Sequence, residues 1–122
     1  MNTLSEKELH QLAMTTVGQQ LEEEGFEFMT VNSQLKKDPQ FVCLKNKKLH
    51  FVVVRAVPYP QNPTEYDAVF MEKMRAHAAT FNAHTYYAGV GFASASNYEK
   101  PPQKGEPYAI NFQGLQEISA HE

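Results

Sequence analysis

Apolar side chains in the first part of the chain recur every three or four positions, the spacing of an amphipathic helix. The stripe consists of Leu9, Leu12, Ala13, Val17 and Leu21. Ser5 and Glu8 form the S-x-x-E capping box that marks a helix start, and Gly25 supplies the usual left-handed exit. The pattern therefore predicts a helix over residues 5–24.

The pattern then changes to short apolar segments, separated by turn residues, that are typical of strands. These segments cover residues 26–32, 40–44 and 49–57 and predict an antiparallel meander. The third segment is apolar on consecutive positions rather than alternate ones. This indicates burial on both faces and a central place in the sheet.

A second helix is predicted over residues 63–82, because Asn62 followed by Pro63 is a typical helix start. Its inner stripe would consist of Tyr66, Phe70, Met74, His77, Ala78 and Phe81. The next extended segment, residues 85–92, follows a helical crossover. We therefore expect it to run parallel to the third strand.

The end of the chain predicts a long loop over residues 93–107, a last strand over residues 108–112, and a short turn or helical tail through Ile118. Loops of this length serve as lids, partner-binding arms or mobile insertions. Tyr98 with the neighbouring prolines could dock on another subunit. With this loop included, residues 1–122 are predicted to form a single α/β domain.

Length and composition agree with one domain, because 122 residues with 42% hydrophobic side chains suffice for one core. The longest apolar run, Phe51 to Val54, is far shorter than the ~18 residues of a membrane span, and the N-terminus has no apolar signal core. We therefore expect a cytoplasmic protein without a membrane partner. A single cysteine, Cys43, excludes a disulfide framework and a four-cysteine cluster within this chain, and we expect no cofactor.

Charge is distributed unevenly along the chain. Residues 36–55 carry six basic side chains against one carboxylate, a formal charge of +5, whereas the whole chain is −3. A lysine-rich hairpin turn also discourages edge-to-edge strand pairing. The alternative is a small basic surface, with Lys45, Lys47 and Lys48 as candidate contacts for an anion or nucleic acid. Specific binding would then need an aromatic group or a backbone donor nearby.

The order helix, antiparallel meander, helix, parallel strand resembles the core of the PD-(D/E)xK nucleases, which have a restriction-endonuclease-like fold. Within this superfamily, the chain resembles the small Holliday-junction-resolvase-like members. Three segments carry that resemblance: Gly25–Asn32, Asp38–Lys45 and Leu49–Arg55. The resemblance covers residues 5–92. It implies a mixed sheet in the order helix, three strands, helix, strand, to which this chain adds a C-terminal strand.

The resemblance places the family's second-strand metal-binding Asp at Gln40, its third-strand carboxylate at Val53 and its Lys at Arg55. Cleaving a phosphodiester with a divalent cation needs at least two convergent carboxylates and a group that orients water. Gln40 offers one neutral oxygen, Val53 offers none, and Arg55 stays protonated. We therefore expect neither a metal nor a catalytic residue at the degenerate positions Asp38, Gln40, Val53 and Arg55.

Asp38 lies two residues before Gln40 and hence on the same strand face. It could be a migrated metal ligand only with a partner from Glu22, Glu23 or Glu24. Arg55 could pair with Asp38 in place of the lost metal, or project into a residual cleft and bind an anion. We favour the ion pair.

The remaining candidate groups predict packing rather than chemistry. No two histidines have the helical i+3 or i+4 spacing of a zinc motif, and His50 and His77 are expected at core or boundary positions with their hydrogen bonds satisfied. Cys43 is expected to be buried in its strand. The pair Gly89 and Gly91 lacks the third glycine of a phosphate-binding loop and predicts close backbone packing.

Our leading hypothesis is a non-catalytic nuclease-fold protein that serves as a small binding or scaffolding module, with an unidentified protein or a second copy as partner. One alternative is a metal-dependent nuclease whose ligands have moved to Asp38, Gln40 and a helix glutamate. The other is a nucleic-acid binder that uses the basic hairpin, residues 36–55.

Overall fold

Residues 3–119, which the computed structural model describes, form two helices and a mixed sheet of six strands. The elements in chain order are α1 (Glu6–Glu23), β1 (Glu27–Val31), β2 (Phe41–Lys45), β3 (Lys48–Pro58), α2 (Ala68–Ala79), β4 (His84–Ser94), β5 (Tyr108–Phe112) and β6 (Gln116–Glu117). The sheet order is β1-β2-β3-β4-β5, with β6 also paired to β4. Only β3 and β4 are parallel within the described sheet, and every other pair is antiparallel. The predicted α/β class and the antiparallel meander are confirmed.

The first helix begins where the sequence predicts. The Ser5 hydroxyl accepts a hydrogen bond from the Glu8 amide at 3.1 Å, and the Glu8 carboxylate accepts one from the Ser5 amide at 2.9 Å. Gly25 follows the helix with a φ of +86°, a conformation that glycine adopts without steric cost. The capping box and the left-handed exit are both confirmed.

The third strand is buried on both faces, as its run of apolar residues predicts. Val52 and Val54 belong to the larger core cluster, which α1 completes on one side of the sheet. Val53 belongs to a smaller cluster with Met71 of α2 and Tyr87 of β4 on the other side. The two helices, α1 and α2, therefore cover opposite faces of β3.

The second helix begins at Ala68, so the predicted start at residue 63 is wrong. Its cap is Asp67, whose carboxylate accepts a hydrogen bond from the Phe70 amide at 3.0 Å. Asn62 instead closes a local turn, in which its side-chain oxygen accepts from the Thr64 amide at 2.9 Å. Pro63 is buried against β4. Packing against the sheet has therefore overridden a local helix-start signal.

The predicted inner stripe of this helix is correct only in part. Of the six predicted members, Ala78 is buried and Phe70 and Met74 are half-buried, whereas the fully buried Met71 was not predicted. The other three predicted members, Tyr66, His77 and Phe81, are exposed. Tyr66 and Phe81 lie outside the shorter helix, and His77 lies within it on its exposed side.

The close backbone packing predicted for the two glycines of β4 is confirmed. A Cβ atom built on Gly89 would lie 2.0 Å from the backbone oxygen of Pro63, and one on Gly91 would lie 3.0 Å from its Cγ. The absence of side chains here lets residues 59–67 lie directly on the strand. This segment forms one wall of the site described below.

The C-terminal part differs from its prediction in two details. The parallel strand continues to Ser94, which shortens the predicted loop over residues 93–107, and the two-residue strand β6 replaces the predicted short turn or helical tail. The loop is tied to the other end of the chain, because the Leu4 amide donates to the oxygen of the buried Pro102 at 3.4 Å. Neither helix in residues 3–119 has the length and apolar character needed to cross a membrane.

Candidate functional site

An open cleft of about 790 Å³ lies beside the second half of β3. Its walls come from β3, from residues 59–67 and from the first turn of α2. Asp38, Val53 and Arg55, three of the four degenerate positions, line this cleft. Gln40 is fully buried and bonded to Asp38. The fold thus brings together the four positions that the sequence singled out.

Asp38 and Arg55 form a two-pronged ion pair. The two terminal nitrogens of Arg55 donate to the two carboxylate oxygens of Asp38 at 2.7 and 2.9 Å. The exposed fraction is 9% for the Asp38 side chain and 26% for Arg55. The guanidinium also donates to the Val54 carbonyl at 3.0 Å and lies 5.5 Å from the centre of the Phe70 ring. The predicted ion pair is confirmed.

The electrostatics of Asp38 favour its ionised form. Burial by itself raises the pKa of this carboxyl, but the hydrogen bonds from Arg55 and Gln40 outweigh it and hold the pKa below its ordinary value. At neutral pH the contact is therefore a bidentate bond between full charges, the strongest kind of side-chain hydrogen bonding in proteins.

The side chain of Gln40 links Asp38 to β3 through two hydrogen bonds. Its side-chain nitrogen donates to Asp38 at 2.8 Å, and its side-chain oxygen accepts from the Val54 amide at 2.7 Å. Its backbone amide donates to the Val52 carbonyl at 3.0 Å, and its carbonyl accepts from the Asn32 amide at 2.7 Å. The oxygen that could have served as a neutral metal ligand is thus already engaged.

His10 on α1 is part of this environment, and sequence reasoning missed it. The side chain is only 1% exposed, and its Nε2 atom has no hydrogen-bond partner. Burial lowers the pKa of His10, while the charges of Asp38 and Arg55 act on it in opposite directions. The available signal was its spacing, because His10 precedes Met14 and Val17 on a buried face of the helix.

No group of three or more His, Cys, Asp or Glu side chains in the described residues is arranged to hold a metal ion. The helix glutamates named above as partners for a migrated metal ligand at Asp38 lie elsewhere. Glu22 and Glu23 are exposed, and Glu24 accepts from Gln20 at 2.6 Å and lines a different groove. The structure does not bring these carboxylates to Asp38.

The basic segment, residues 36–55, is divided between two places. Lys36 lines the cleft and lies 3.6 Å from Glu6. Lys45 and Lys48 face each other across the β2–β3 hairpin, whose turn places Lys47 in the left-handed region with a φ of 65°. These three lysines surround the start of β3, whereas Arg55 lies near its end.

Of the remaining predictions, that for Cys43 is confirmed, that for His50 is confirmed in part, and that for His77 is wrong. His50 is a core histidine with 8% exposure, but its Nδ1 atom has no hydrogen-bond partner. Cys43 is fully buried, and burial raises the pKa of its thiol to about 11. A thiol in this state is not a nucleophile at neutral pH. His77 is exposed and contacts the Phe81 ring at the surface, because α2 presents Met71 and Ala78 to the sheet instead.

The described residues thus define an α/β protein with a mixed sheet and a polar cleft built around an ion pair. The chain belongs to the family described as a domain of unknown function, DUF8840, and the match spans residues 7–118. Comparison with curated proteins and with solved structures gives no match.

Proposed function

We propose that this protein is a non-catalytic member of the restriction-endonuclease-like fold, a small binding module in which Arg55 has replaced the metal ion of an ancestral nuclease. One observation carries the proposal. The Arg55 guanidinium is bound by both oxygens of Asp38, in the cleft where the resemblance to PD-(D/E)xK nucleases places the metal site.

The element order supports the fold part of this proposal. From α1 to β4 the chain runs helix, three antiparallel strands, helix and strand, with β3 central and parallel to β4. That is the arrangement the resemblance implies.

The chemistry of the cleft supports the non-catalytic part. Arg55 stays protonated at any working pH, so it cannot take a proton from an attacking water. Val53 is fully buried against Met71 and Tyr87, an apolar contact where the resemblance places a carboxylate. A cleft with these groups can bind a ligand but lacks, at the positions given by the resemblance, the second carboxylate and the lysine that metal-dependent cleavage needs.

The lining of the cleft favours a polypeptide as its ligand. The lining includes two basic side chains, three carboxylates and an exposed ring, supplied by Lys36 and Arg55, by Asp38, Glu65 and Asp67, and by Tyr66. The carboxylates would repel a polyphosphate backbone. A protein segment can match both signs of charge and pack on the ring.

The first experiment is a calorimetric titration of the full chain with Mn²⁺, together with cleavage assays on linear and branched DNA. We expect neither saturable Mn²⁺ binding nor cleavage. Saturable binding that disappears in Asp38→Asn would show that the metal site survives, and the proposal would be wrong.

A reconstruction tests the register of the resemblance. The variant that combines Gln40→Asp, Val53→Asp and Arg55→Lys restores the family's residue types, and we expect it to gain saturable Mn²⁺ binding. Arg55→Lys alone is the matched control and should bind no metal. A reconstructed variant that keeps its circular dichroism spectrum yet takes up no Mn²⁺ would contradict the assigned positions. Sedimentation equilibrium of the unmodified chain then shows whether it is a homodimer or a monomer.

A further inference from the structure

A second groove, of about 620 Å³, lies at the start of β3, the end of the strand opposite to Arg55. It is separate from the cleft of the proposed function and shares no lining residue with it. The groove is lined by side chains from β2, β3 and β4 and by Phe26, which follows α1. Its size is within the range of sites for small organic ligands.

Four rings meet in this groove. The imidazoles of His50 and His84 stack with centroids 5.1 Å apart and an angle of 17° between planes. Tyr86 stacks on His50 at 5.7 Å, and Phe26 meets the same imidazole edge-on at 5.0 Å. His50 is buried beneath its neighbours, while Phe26, His84 and Tyr86 are half-buried. The groove therefore offers ring surface supported by a rigid stack.

Two ammonium groups flank this ring surface. Lys45 Nζ lies 4.8 Å from the centre of the Phe26 ring, and Lys48 lies opposite Lys45 in the β2–β3 ladder. Two carboxylates are close, and both are already engaged. Glu24 accepts from Gln20 at 2.6 Å, and Glu117 lies 3.1 Å from Nδ1 of His84.

We propose that this groove binds a nucleotide, with its base packed on the rings of Phe26, His84 and Tyr86 and its phosphate held by Lys45 and Lys48. A planar base fits the ring surface of this groove, because bases of any sequence stack on aromatic side chains. A negatively charged phosphate fits beside the flanking lysines, because lysine binds phosphate as a point charge. The basic hairpin that the sequence predicts lies at this groove, and the fold brings to it the aromatic side chains that a specific anion-binding site requires.

The experiment is a calorimetric titration of the full chain with AMP, and with adenosine and inorganic phosphate separately. We expect saturable AMP binding, with both fragments weaker than the whole. The variant Lys45→Ala/Lys48→Ala should weaken AMP binding at least about tenfold, because two charge-assisted contacts are lost. Glu24→Gln should strengthen it, because a carboxylate that repels the phosphate is removed.

Two matched controls place the ligand in this groove. Lys47→Ala changes the same hairpin turn without changing a lining residue, and Lys36→Ala removes a lysine from the first cleft. Both should leave AMP binding unchanged. All of these lysines except the half-buried Lys45 are exposed, so the fold should tolerate their replacement.

A single-stranded oligoadenylate distinguishes the two sources of a nucleotide. If it binds and loses affinity in Lys45→Ala/Lys48→Ala, the natural ligand is a nucleic-acid strand; if AMP alone binds, the ligand is a free nucleotide. The proposal is overturned if neither binds, or if binding persists undiminished in the double variant. None of these outcomes depends on Mn²⁺ binding, so this site and the proposed function can fail independently.

Discussion

The side-chain oxygen of Gln40 accepts a hydrogen bond from the backbone amide of Val54, 2.7 Å away. In this way a side chain at the start of one strand satisfies a buried backbone group of the next. The same amide side chain holds Asp38 in position for Arg55. The Gln40 side chain is therefore part of the structural framework that links Asp38 to β3.

Replacing Gln40 by Met should destabilise the protein by about 2–3 kcal/mol, because the Val54 amide is then buried without a partner. Urea unfolding followed by circular dichroism measures this change. Gln19→Met, on an exposed part of α1, is the matched control and should change the free energy of unfolding by less than about 0.5 kcal/mol. Equal changes in the free energy of unfolding would mean that the Gln40 hydrogen bonds contribute little to stability.

The ion pair should show strong coupling in a double-mutant cycle. Asp38→Asn and Arg55→Met are each expected to cost about 2–3 kcal/mol, because each leaves a largely buried charge without its counter-charge. The double variant should cost clearly less than the sum of the single variants, since no unpaired charge remains. Additive free energies of unfolding would contradict the pairing.

Gly89→Ala should destabilise the protein by about 3 kcal/mol, because the new Cβ would meet the Pro63 carbonyl and force residues 59–67 away from the sheet. Gly18→Ala is the matched control. There the Cβ makes only an ordinary contact with Phe41 at 3.5 Å, and alanine favours the helix by about 0.5–1 kcal/mol. Thermal unfolding should therefore shift in opposite directions for the two variants.

Mild acid should weaken the fold through its buried histidines. Burial lowers the pKa of His10 in the folded state, whereas an unfolded histidine takes up a proton at a pH of about 6.5. The unfolded chain thus binds more protons below that pH, and the free energy of unfolding falls as the pH is lowered through this window. Burial also lowers the pKa of His50, so that residue contributes in the same direction.

Urea midpoints measured between about pH 7 and pH 5 test this prediction. His10→Leu should flatten the pH dependence, and His77→Gln, at an exposed position, should leave it as steep as before. Asp38 acts in a separate window, because its pKa is lowered and its contribution is lost only below the unfolded value of about 3.9. A slope that is the same with and without His10 would contradict the role given to its burial.

The features that the sequence predicts well are those set by local chemistry. Ser5 and Glu8 satisfy each other within one helical turn, so the helix start is visible in four residues. The consecutive valines of β3 likewise indicate burial on both faces without knowledge of the partners. The pairing of Asp38 with Arg55 could also be anticipated, because Asp38 precedes one strand of a hairpin, Arg55 lies towards the end of the other, and the two have opposite charges.

The features that the sequence does not predict depend on contacts between distant segments. Pro63 has the local signature of a helix start, but its fit against Gly89 decides its conformation. The role of Gln40 depends on a backbone amide fourteen positions away, and the sequence does not show which backbone amide a side chain will bind. The convergence of Phe26, His50 and His84 arises only when β3 and β4 pair in register and the segment that follows α1 places Phe26 against His50.

Arg55 carries its positive charge on a side chain, whereas a divalent ion has to be captured from solution. The cleft therefore keeps its charge in the presence of chelators such as EDTA and through any change in the concentration of free magnesium. Both charges of this ion pair are encoded by the gene, so the pair forms with folding and needs no loading step.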